Sequence, residues 1–244
     1  MGKIVAVVQS NYIPWKGYFD LIQLADELIL LDDVQYTRQD WRNRNLIKTP
    51  SGPRWLSVPV VAKGQLQRKI NETKVSDPAW ATRHWDAIRQ NYATAPHFKA
   101  YRDAFEDLYA SDETYLSRIN RSFIDRICRV LGVTTPISWS SDYEVIEGPT
   151  ARLVWLCKQS GASIYLSGPA ARGYIEPELF EDAGIELRYM DYSGYPEYRQ
   201  LHPPFEHSVT ALDLIFNEGA DATRYMRTFG TAGAAARDTV RTAS

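Results

Sequence analysis

The apolar positions of the chain follow two different periods, one typical of buried strands and one typical of amphipathic helices. Short apolar runs at Ile4–Val8 and Leu28–Leu31 predict two buried strands, and the stretch Gly17–Ala25 between them predicts a helix. Parallel strands cannot be joined by a tight hairpin, so two such runs with one helix between them predict a right-handed βαβ crossover. The first stretch is therefore interpreted as one unit of a parallel sheet.

The pattern changes after this unit. The segment Lys48–Val58 predicts a hairpin or excursion, because turn residues precede a β-rich run that Pro59 interrupts. A weak alternation predicts a further strand at Lys69–Val75. Helical spacing then predicts three helices, at Asp77–Tyr92, Phe98–Tyr109 and Thr114–Leu131, with Gly132 as the C-cap of the last.

The third stretch returns to alternating strands and helices, which predicts that the parallel sheet continues. We predict an α/β fold with a Rossmann-like, mostly parallel sheet: a single domain over residues 1–230, a helical insertion at about 77–132 and a flexible tail at 231–244. A separate helical cap domain is the alternative. Strands are predicted at Ile137–Ser140, Ser163–Leu166 and Ile185–Tyr189, and helices at Thr150–Ser160, Pro177–Ala183 and Ser208–Phe216.

Charge and composition narrow the class of partner. The net charge of −2 arises from 28 basic and 30 acidic residues, so no overall field favours nucleic acid or an anionic membrane. A small molecule or another protein is the expected partner. No apolar run reaches the length of a membrane span and nothing resembles a cleavable leader, which predicts a cytoplasmic protein without membrane insertion.

Polar side chains cluster in the two loops that follow the first two predicted strands. These loops leave the carboxyl ends of neighbouring strands, where ligands bind in open parallel sheets. Their polar content exceeds what turns alone require, whereas Tyr18 and Phe19 are expected in the core. The predicted crevice residues are Gln9, Asn11, Tyr12, Trp15, Asp32, Asp33, Gln35, Trp41, Asn43, Arg44 and Asn45.

Two later loops are further candidates for substrate binding. Ser167, Gly168 and Arg172 belong to a loop between a strand and a helix, where backbone N–H groups can hold an anion. The loop matches neither dinucleotide nor P-loop patterns, so position alone supports it. Tyr198 and Gln200 lie in an aromatic, polar segment that could close over a ligand.

Three residues are candidates for catalysis. His84 suits a general base because an imidazole titrates near neutral pH, although it could equally pack among helices. Asp33 would orient an amine or take its proton, and Arg44 would hold a phosphate or carboxylate. Cys157 is a nucleophile only if it faces the crevice near a histidine; otherwise it is a small buried hydrophobe.

Metal chemistry has weak support in the sequence. The four histidines are dispersed, and no tightly bound metal is expected. Asp32 and Asp33 could hold a divalent ion together with a nucleotide, but a turn pair explains them equally well.

Several strings resemble the WbqC-like family: QSNYIPWKGYFDLI, DELILLDDVQYTRQDWRNRN, WLSVPV, YLSGPAARGY and ALDLIFNEG. That family is associated with bacterial surface-polysaccharide gene clusters and, for some members, with small-molecule biosynthesis. The resemblance implies a transferase that moves an acyl or aminoacyl group to an amine, from an acyl thioester or nucleotide donor, with an acyl-carrier protein as one conceivable partner. Many relatives have His-Gln-Pro where this chain has Val8-Gln9-Ser10. This chain therefore lacks the histidine that could serve as an acid or base at that position.

A more distant resemblance is to HUP-type nucleotide-binding domains. Those enzymes use two histidines in the first loop, whereas this chain has Trp15-Lys16-Gly17-Tyr18 at that position. Two alternatives to the transferase therefore stay open: an ATP-dependent HUP-type ligase or nucleotidyltransferase, and a non-catalytic ligand-binding or scaffold protein. The sequence decides neither the donor and acceptor nor the oligomeric state.

Overall fold

A computed structural model of the chain describes residues 2–61, 67–230, 235 and 240. A five-stranded parallel sheet and a separate antiparallel hairpin form the β structure. The strands are β1 (Ile4–Val8), β2 (Glu27–Leu30), β3 (Arg44–Thr49), β4 (Gly52–Ser57), β5 (Ile137–Trp139), β6 (Ile164–Ser167) and β7 (Glu186–Tyr189). The helices are α1 (Lys16–Leu24), α2 (Trp80–Tyr92), α3 (Phe98–Tyr109), α4 (Leu116–Leu131), α5 (Pro149–Gln159), α6 (Pro177–Asp182) and α7 (Ala211–Glu218).

The parallel sheet has the order β5-β2-β1-β6-β7, which confirms the predicted α/β fold with a mostly parallel sheet. The chain runs outward from β1 through β2 to β5, then crosses back to β6 on the other side of β1. Val5 pairs with Glu27 of β2 and with Tyr165 of β6, so β1 lies between the two halves. The reversal of direction between β1 and β6 creates a topological switch point at the carboxyl ends of these strands.

Both faces of the sheet are buried. Ile4 and Ala6 of β1 pack into one hydrophobic cluster, and Val5 and Val7 pack into a second cluster on the opposite face, as the twofold period of a strand requires. The larger cluster includes α1, α2, α3, α4 and α7, and the smaller includes α5 and α6. The near-continuous apolar sequence of β1 follows from this double burial.

The helical insertion predicted at about 77–132 is present as α2, α3 and α4. Helix α2 begins at Trp80 rather than Asp77, whose Oδ1 instead accepts the backbone N–H of Ala79. Helix α4 ends at Leu131, and Gly132, with a φ of 74°, is the predicted left-handed C-cap. The number of domains stays a prediction, and the predicted tail at 231–244 lies outside the described residues except for 235 and 240.

Two local predictions were wrong. The stretch Lys69–Val75 forms a short 3-10 turn at Ile70–Glu72 rather than a strand, because Thr73 turns back and donates its hydroxyl to the carbonyl of Lys69. Helix α7 begins at Ala211 and is capped by Thr210, whose Oγ1 accepts the N–H of Leu212, so Ser208 is not its N-cap. The predicted excursion at Lys48–Val58 is a hairpin, and its strands begin earlier, at Arg44.

Candidate ligand-binding site

A cavity of about 590 Å³ lies at the switch point between β1 and β6. Its size is in the range of cavities that bind small organic molecules, and its position is where ligands bind in doubly wound sheets. Polar lining residues are Gln9, Asn11, Thr37, Asp40, Arg42, Arg152 and Ser167. Aromatic lining residues are Trp15, Tyr18, Tyr165, Tyr174 and Tyr192.

The loop after β1 delivers Gln9, Asn11 and Trp15 to the cavity. It makes a sharp turn at Ile13, whose φ of 36° is unusual for a β-branched residue. The buried side chain of Asn45 stabilises this turn, since its Nδ2 donates to the carbonyls of Tyr12 and Ile13 at 3.1 and 3.0 Å. Asn45 therefore supports the wall of the cavity from behind and does not line it.

Asp32 is also a supporting residue. It is buried, its Oδ1 accepts the backbone N–H of Ser10 at 2.8 Å, and its Oδ2 accepts the hydroxyl of Ser117 on α4. Burial raises the pKa of the Asp32 carboxyl, and these hydrogen bonds partly offset that effect. Asp32 thus fastens the first loop to α4 and is absent from the cavity lining.

Arg42 provides one positive charge in the cavity. Its Nη1 donates to Oδ1 of Asp40 at 3.2 Å and to Oδ1 of Asn11 at 3.3 Å. The side chain of Asn120 on α4 accounts for its placement, since Nδ2 donates to the backbone carbonyl of Arg42 at 2.8 Å. The Nε atom of Arg42 is buried and has no hydrogen-bond partner within the described protein.

Arg152 provides a second positive charge, one turn into α5. Its Nη2 forms an ion pair with Asp33, and the buried Ser140 donates its hydroxyl to the same carboxylate. Asp33 therefore joins the carboxyl end of β2, the end of β5 and the start of α5. The Nε atom of Arg152, like that of Arg42, is buried without a partner among the described residues.

Aromatic side chains form much of the remaining wall. The ring centroids of Trp15 and Tyr192 lie 5.1 Å apart in an edge-to-face arrangement, and the hydroxyl of Tyr18 donates to the carbonyl of Gln9 at 3.2 Å. Burial raises the pKa of both Tyr18 and Tyr192, so their hydroxyls are protonated at neutral pH. Tyr174, which is 65% exposed, lies at the rim.

His84 and Cys157, two of the candidates for catalysis, lie away from the cavity. His84 is buried among the helices together with Tyr12, whose hydroxyl is 2.9 Å from Nδ1 of His84. Burial lowers the pKa of His84 to about 4, although a hydrogen bond with the backbone of Ser57 acts in the other direction. Cys157 is fully buried in the smaller core cluster, and burial raises the pKa of its thiol to about 12. Neither residue faces the crevice as the sequence interpretation required.

The outer loops hold the next group of predicted residues. Trp41 and Arg44 both pack on Trp55 of the hairpin, with Trp41 at 5.3 Å between ring centroids and the Arg44 guanidinium 4.3 Å from the ring. Nδ2 of Asn43 donates to the carbonyl of Val58 at 2.9 Å, and Gln35 is exposed. None of these four residues is in the cavity lining.

The remaining candidates lie in the later loops. The guanidinium of Arg172 is 4.0 Å from the ring of Tyr189, outside the lining. Tyr198 and Gln200 both donate to Oδ1 of the buried Asp213, at 2.6 and 3.1 Å, so they tie the C-terminal segment to α7. They do not cover the cavity.

Five of the predicted residues therefore meet at one cavity: Gln9, Asn11, Trp15, Ser167 and Gly168. Their contact with a ligand stays a prediction. Arg42 and Arg152 were missed by the sequence interpretation, which favoured Arg44. A signal existed for Arg152, because it follows Gly148-Pro149 at a predicted helix start beyond a strand, the position where anions bind.

The described residues include no group of three or more His, Cys, Asp or Glu side chains that could hold a metal ion. None of the helices in that part of the chain is both long and apolar enough to cross a membrane.

The comparison with known proteins identifies a family. The sequence profile of the WbqC-like protein family matches residues 9–225. The uncharacterized protein Rv1507c of Mycobacterium tuberculosis (strain ATCC 25618 / H37Rv) is 48% identical over 226 residues, which cover 92% of this chain and 98% of the relative. No solved structure matches significantly. Because the match spans most of the chain, the resemblance noted in the sequence is confirmed: the chain belongs to the WbqC-like protein family.

Proposed function

We propose that the protein is a transferase that moves an acyl or aminoacyl group from a thioester to the amine of a small molecule bound in the switch-point cavity. The observation that carries this proposal is the cavity itself, which combines two arginines, a carboxylate and an aromatic wall at the carboxyl ends of β1 and β6. Such a lining suits a small polar substrate.

The lining also bears on the reaction path. No cysteine or histidine is among the lining residues in the described part of the chain, and Cys157 is buried with a raised thiol pKa. A covalent acyl-enzyme on a thiolate therefore has no support. Direct attack by the substrate amine requires no enzyme nucleophile, and binding both reactants together supplies the rate advantage.

The proposed step balances without a cofactor. The amine nitrogen attacks the thioester carbonyl carbon, a C–N bond forms, and the C–S bond breaks. Asp40 is the carboxylate in the cavity lining that accepts the proton from the nitrogen, and the leaving thiolate then takes that proton. Asp40 is oriented for this role by the hydroxyl of Thr37 and the N–H of Trp41, both of which donate to it.

The test is a mass-spectrometric screen of acyl thioesters against small amines. We expect amide and free thiol in equal amounts, no acyl adduct on the intact protein, and turnover lowered about 100-fold by Asp40→Asn. Cys157→Ala is the matched control and should retain turnover. A trapped acyl-enzyme, or amide formation that is unaffected by Asp40→Asn, would contradict the proposed path.

An ATP-dependent ligase is the second candidate, and one observation favours it. The sheet order places a switch point at the cavity, as in mononucleotide-binding folds, and two arginines there could hold phosphates. Release of pyrophosphate from ATP that depends on the acceptor amine would establish this alternative over thioester transfer.

A further inference from the structure

Two exposed indoles lie together next to a segment that lines the cavity. Trp41 is in the loop between β2 and β3, Trp55 is on β4 of the hairpin, and they are 40% and 42% exposed. Their ring centroids lie 5.3 Å apart at an interplanar angle of 46°. Asp40 and Arg42, the chain neighbours of Trp41, line the cavity, so the indole pair adjoins it.

A guanidinium extends this surface. Arg44 packs on Trp55, with its Cζ atom 4.3 Å from the ring centroid. Its Nε is buried without a partner. The two Nη atoms form no hydrogen bond or ion pair with a described residue and are not among the buried atoms, so they are open to a ligand from solvent. We call Trp41, Trp55 and Arg44 the indole platform.

The electrostatic surroundings of Arg44 are positive. Burial raises the pKa of the neighbouring Tyr36, and the charges of Arg68, Arg38 and Arg44 act against that rise, whereas Asp40 acts with it. Asp40 lies 3.2 Å from Arg42, which offsets its charge. The field at the platform therefore attracts anions.

The size of the platform favours a small ligand over a protein. Its two indoles together expose on the order of 200 Å², whereas a specific protein interface buries roughly 800 Å² on each partner. One planar base is enough to cover the indoles, and stacking on aromatic side chains is how proteins hold nucleic-acid bases. A neutral planar ligand would leave Arg44 without an anion, whereas a nucleotide brings a base and a phosphate together.

We propose that the indole platform binds an adenine nucleotide, with the base on Trp41 and Trp55 and a phosphate on the Nη atoms of Arg44. This inference rests on the proposed function in assigning the nucleotide to the donor substrate. Coenzyme A, which carries acyl thioesters, has such a nucleotide, and so does ATP, the donor in the ligase alternative. The pantetheine arm of coenzyme A would then enter the cavity beside Asp40 and Arg42.

Four probes test the pairing of base and phosphate, with ligand-observed NMR measuring each dissociation constant. They are adenosine 3′,5′-bisphosphate, which represents the nucleotide part of coenzyme A, ATP, adenosine and ribose 5-phosphate. We expect at least one nucleotide to bind about tenfold more tightly than adenosine or ribose 5-phosphate, since these lack the phosphate and the base, respectively. Tighter binding of the bisphosphate assigns the platform to coenzyme A, and tighter binding of ATP assigns it to the ligase alternative. Nucleotides that bind no better than adenosine would overturn the proposal.

Two variants test the platform itself. Trp41→Ala removes an exposed indole and Arg44→Ala removes the guanidinium, and each should weaken nucleotide binding about tenfold. Arg172→Ala is the matched control, because the Arg172 guanidinium also packs on a ring, 4.0 Å from the centroid of Tyr189, and belongs to the loop after β6. If folded Trp41→Ala and Arg44→Ala proteins bind nucleotide as the wild type does, the proposal is wrong.

Binding is measured without an amine or an acyl donor, so this result is independent of turnover. Nucleotide binding to the platform without amide formation from any thioester would support the inference and contradict the proposed function. Amide formation that is as fast from acyl-pantetheine as from acyl-coenzyme A, and is unaffected by Trp41→Ala, would do the reverse. If no nucleotide binds and the two variants lose turnover only with acyl groups on a carrier protein, the platform is a protein-docking surface and the nucleotide proposal is wrong.

Discussion

The hydroxyl of Tyr12 lies 2.9 Å from Nδ1 of His84, inside the protein and away from the cavity. The same hydroxyl is 2.8 Å from that of Tyr109, so three buried polar groups connect the first loop, α2 and α3. Burial lowers the pKa of His84 to about 4, although a hydrogen bond with the backbone of Ser57 acts in the other direction. The ring is therefore held in its neutral form as a structural group.

This position predicts a pH-dependent stability. Burial lowers the pKa of His84 from 6.5 to about 4, so between these values the unfolded chain binds more protons than the folded chain. The contribution of His84 is complete above pH 6.5 and is lost as the pH falls towards 4. The loss amounts to roughly 3 kcal/mol at most.

Urea unfolding of wild type and His84→Gln between these pH values measures the effect. The buried carboxylates Asp20, Asp32 and Asp213 have raised pKa values and titrate with the opposite sign, so the difference between the two proteins isolates His84. We expect a shallower loss of stability on acidification in the variant. Parallel pH profiles would show that the imidazole is not buried in its neutral form.

The cysteines should be unreactive in the native protein. Cys128 and Cys157 are both buried free thiols, and burial raises the pKa of each to about 12. Few thiolates exist at neutral pH, and both side chains are buried. An aromatic disulfide reagent should label neither residue until urea unfolds the chain and then label both. Rapid native labelling of Cys157, located by mass spectrometry, would restore it as a candidate nucleophile.

The sequence predicted best those helices and strands whose bounds are set by neighbouring residues in the chain. The bounds of β1 and α3 were predicted at the observed residues, because their apolar periods are strong and their ends are marked by polar or turn residues. The predicted strand at Lys69–Val75 was wrong. The alternation of polar and apolar residues there is weak, and the hydroxyl of Thr73 donates to the backbone carbonyl of Lys69, which favours a turn.

Site residues were predicted where position after a strand was enough to identify them. Ligands bind at the carboxyl ends of parallel strands, and this identified Gln9 and Ser167, whose strands are adjacent. Arg152 lies near a predicted helix start, but assigning it to the same cavity as Gln9 required the knowledge that β6 returns beside β1. Tyr12 was placed in the crevice because the reversal at Ile13 is not encoded by glycine or another turn residue.

Limited proteolysis tests the predicted single domain. Phe216 of α7 packs on Phe98 and Phe105 of α3 at 5.0 and 5.8 Å between ring centroids, and it accepts the N–H of His97. A fragment limited to the helical insertion, from about Ser76 to Gly132, would lack Phe216 and expose Phe98 and Phe105 to water. We expect no stable fragment that begins near Ser76. Accumulation of such a fragment, followed by gel and mass spectrometry, would support a separate helical cap.

Asp33→Asn should destabilise the protein by about 3 kcal/mol, since it leaves the charge of Arg152 without its partner in a site where the two side chains are 7% and 14% exposed. Asparagine retains the shape and the contact with Ser140, so packing changes little. Asp40→Asn is the matched comparison: Asp40 is 31% exposed, and its loss should cost about 1 kcal/mol. Urea denaturation measures both values, and equal losses would contradict the burial argument.

Gly17→Ala should damage the cavity although the residue lies in α1. An alanine in a helix normally stabilises by about 0.5–1 kcal/mol relative to glycine. Here the added Cβ would lie 2.3 Å from Cζ2 of Trp15 and 2.5 Å from its Cη2, so the indole must shift from its present position. Because Trp15 lines the cavity, we expect about tenfold lower turnover in the assay with acyl thioesters and small amines, or roughly 1.4 kcal/mol.

Gly173→Ala separates this clash from a general effect of alanine, because an added Cβ there meets nothing within 4 Å. Gly173 lies in the loop after β6, close in sequence to the lining residue Tyr174. The Gly173→Ala variant should turn over thioester and amine as the wild type does. The mass-spectrometric assay and thermal unfolding measure turnover and stability in both variants. If Gly17→Ala instead raises the melting temperature and leaves turnover unchanged, Trp15 does not occupy the cavity wall in solution.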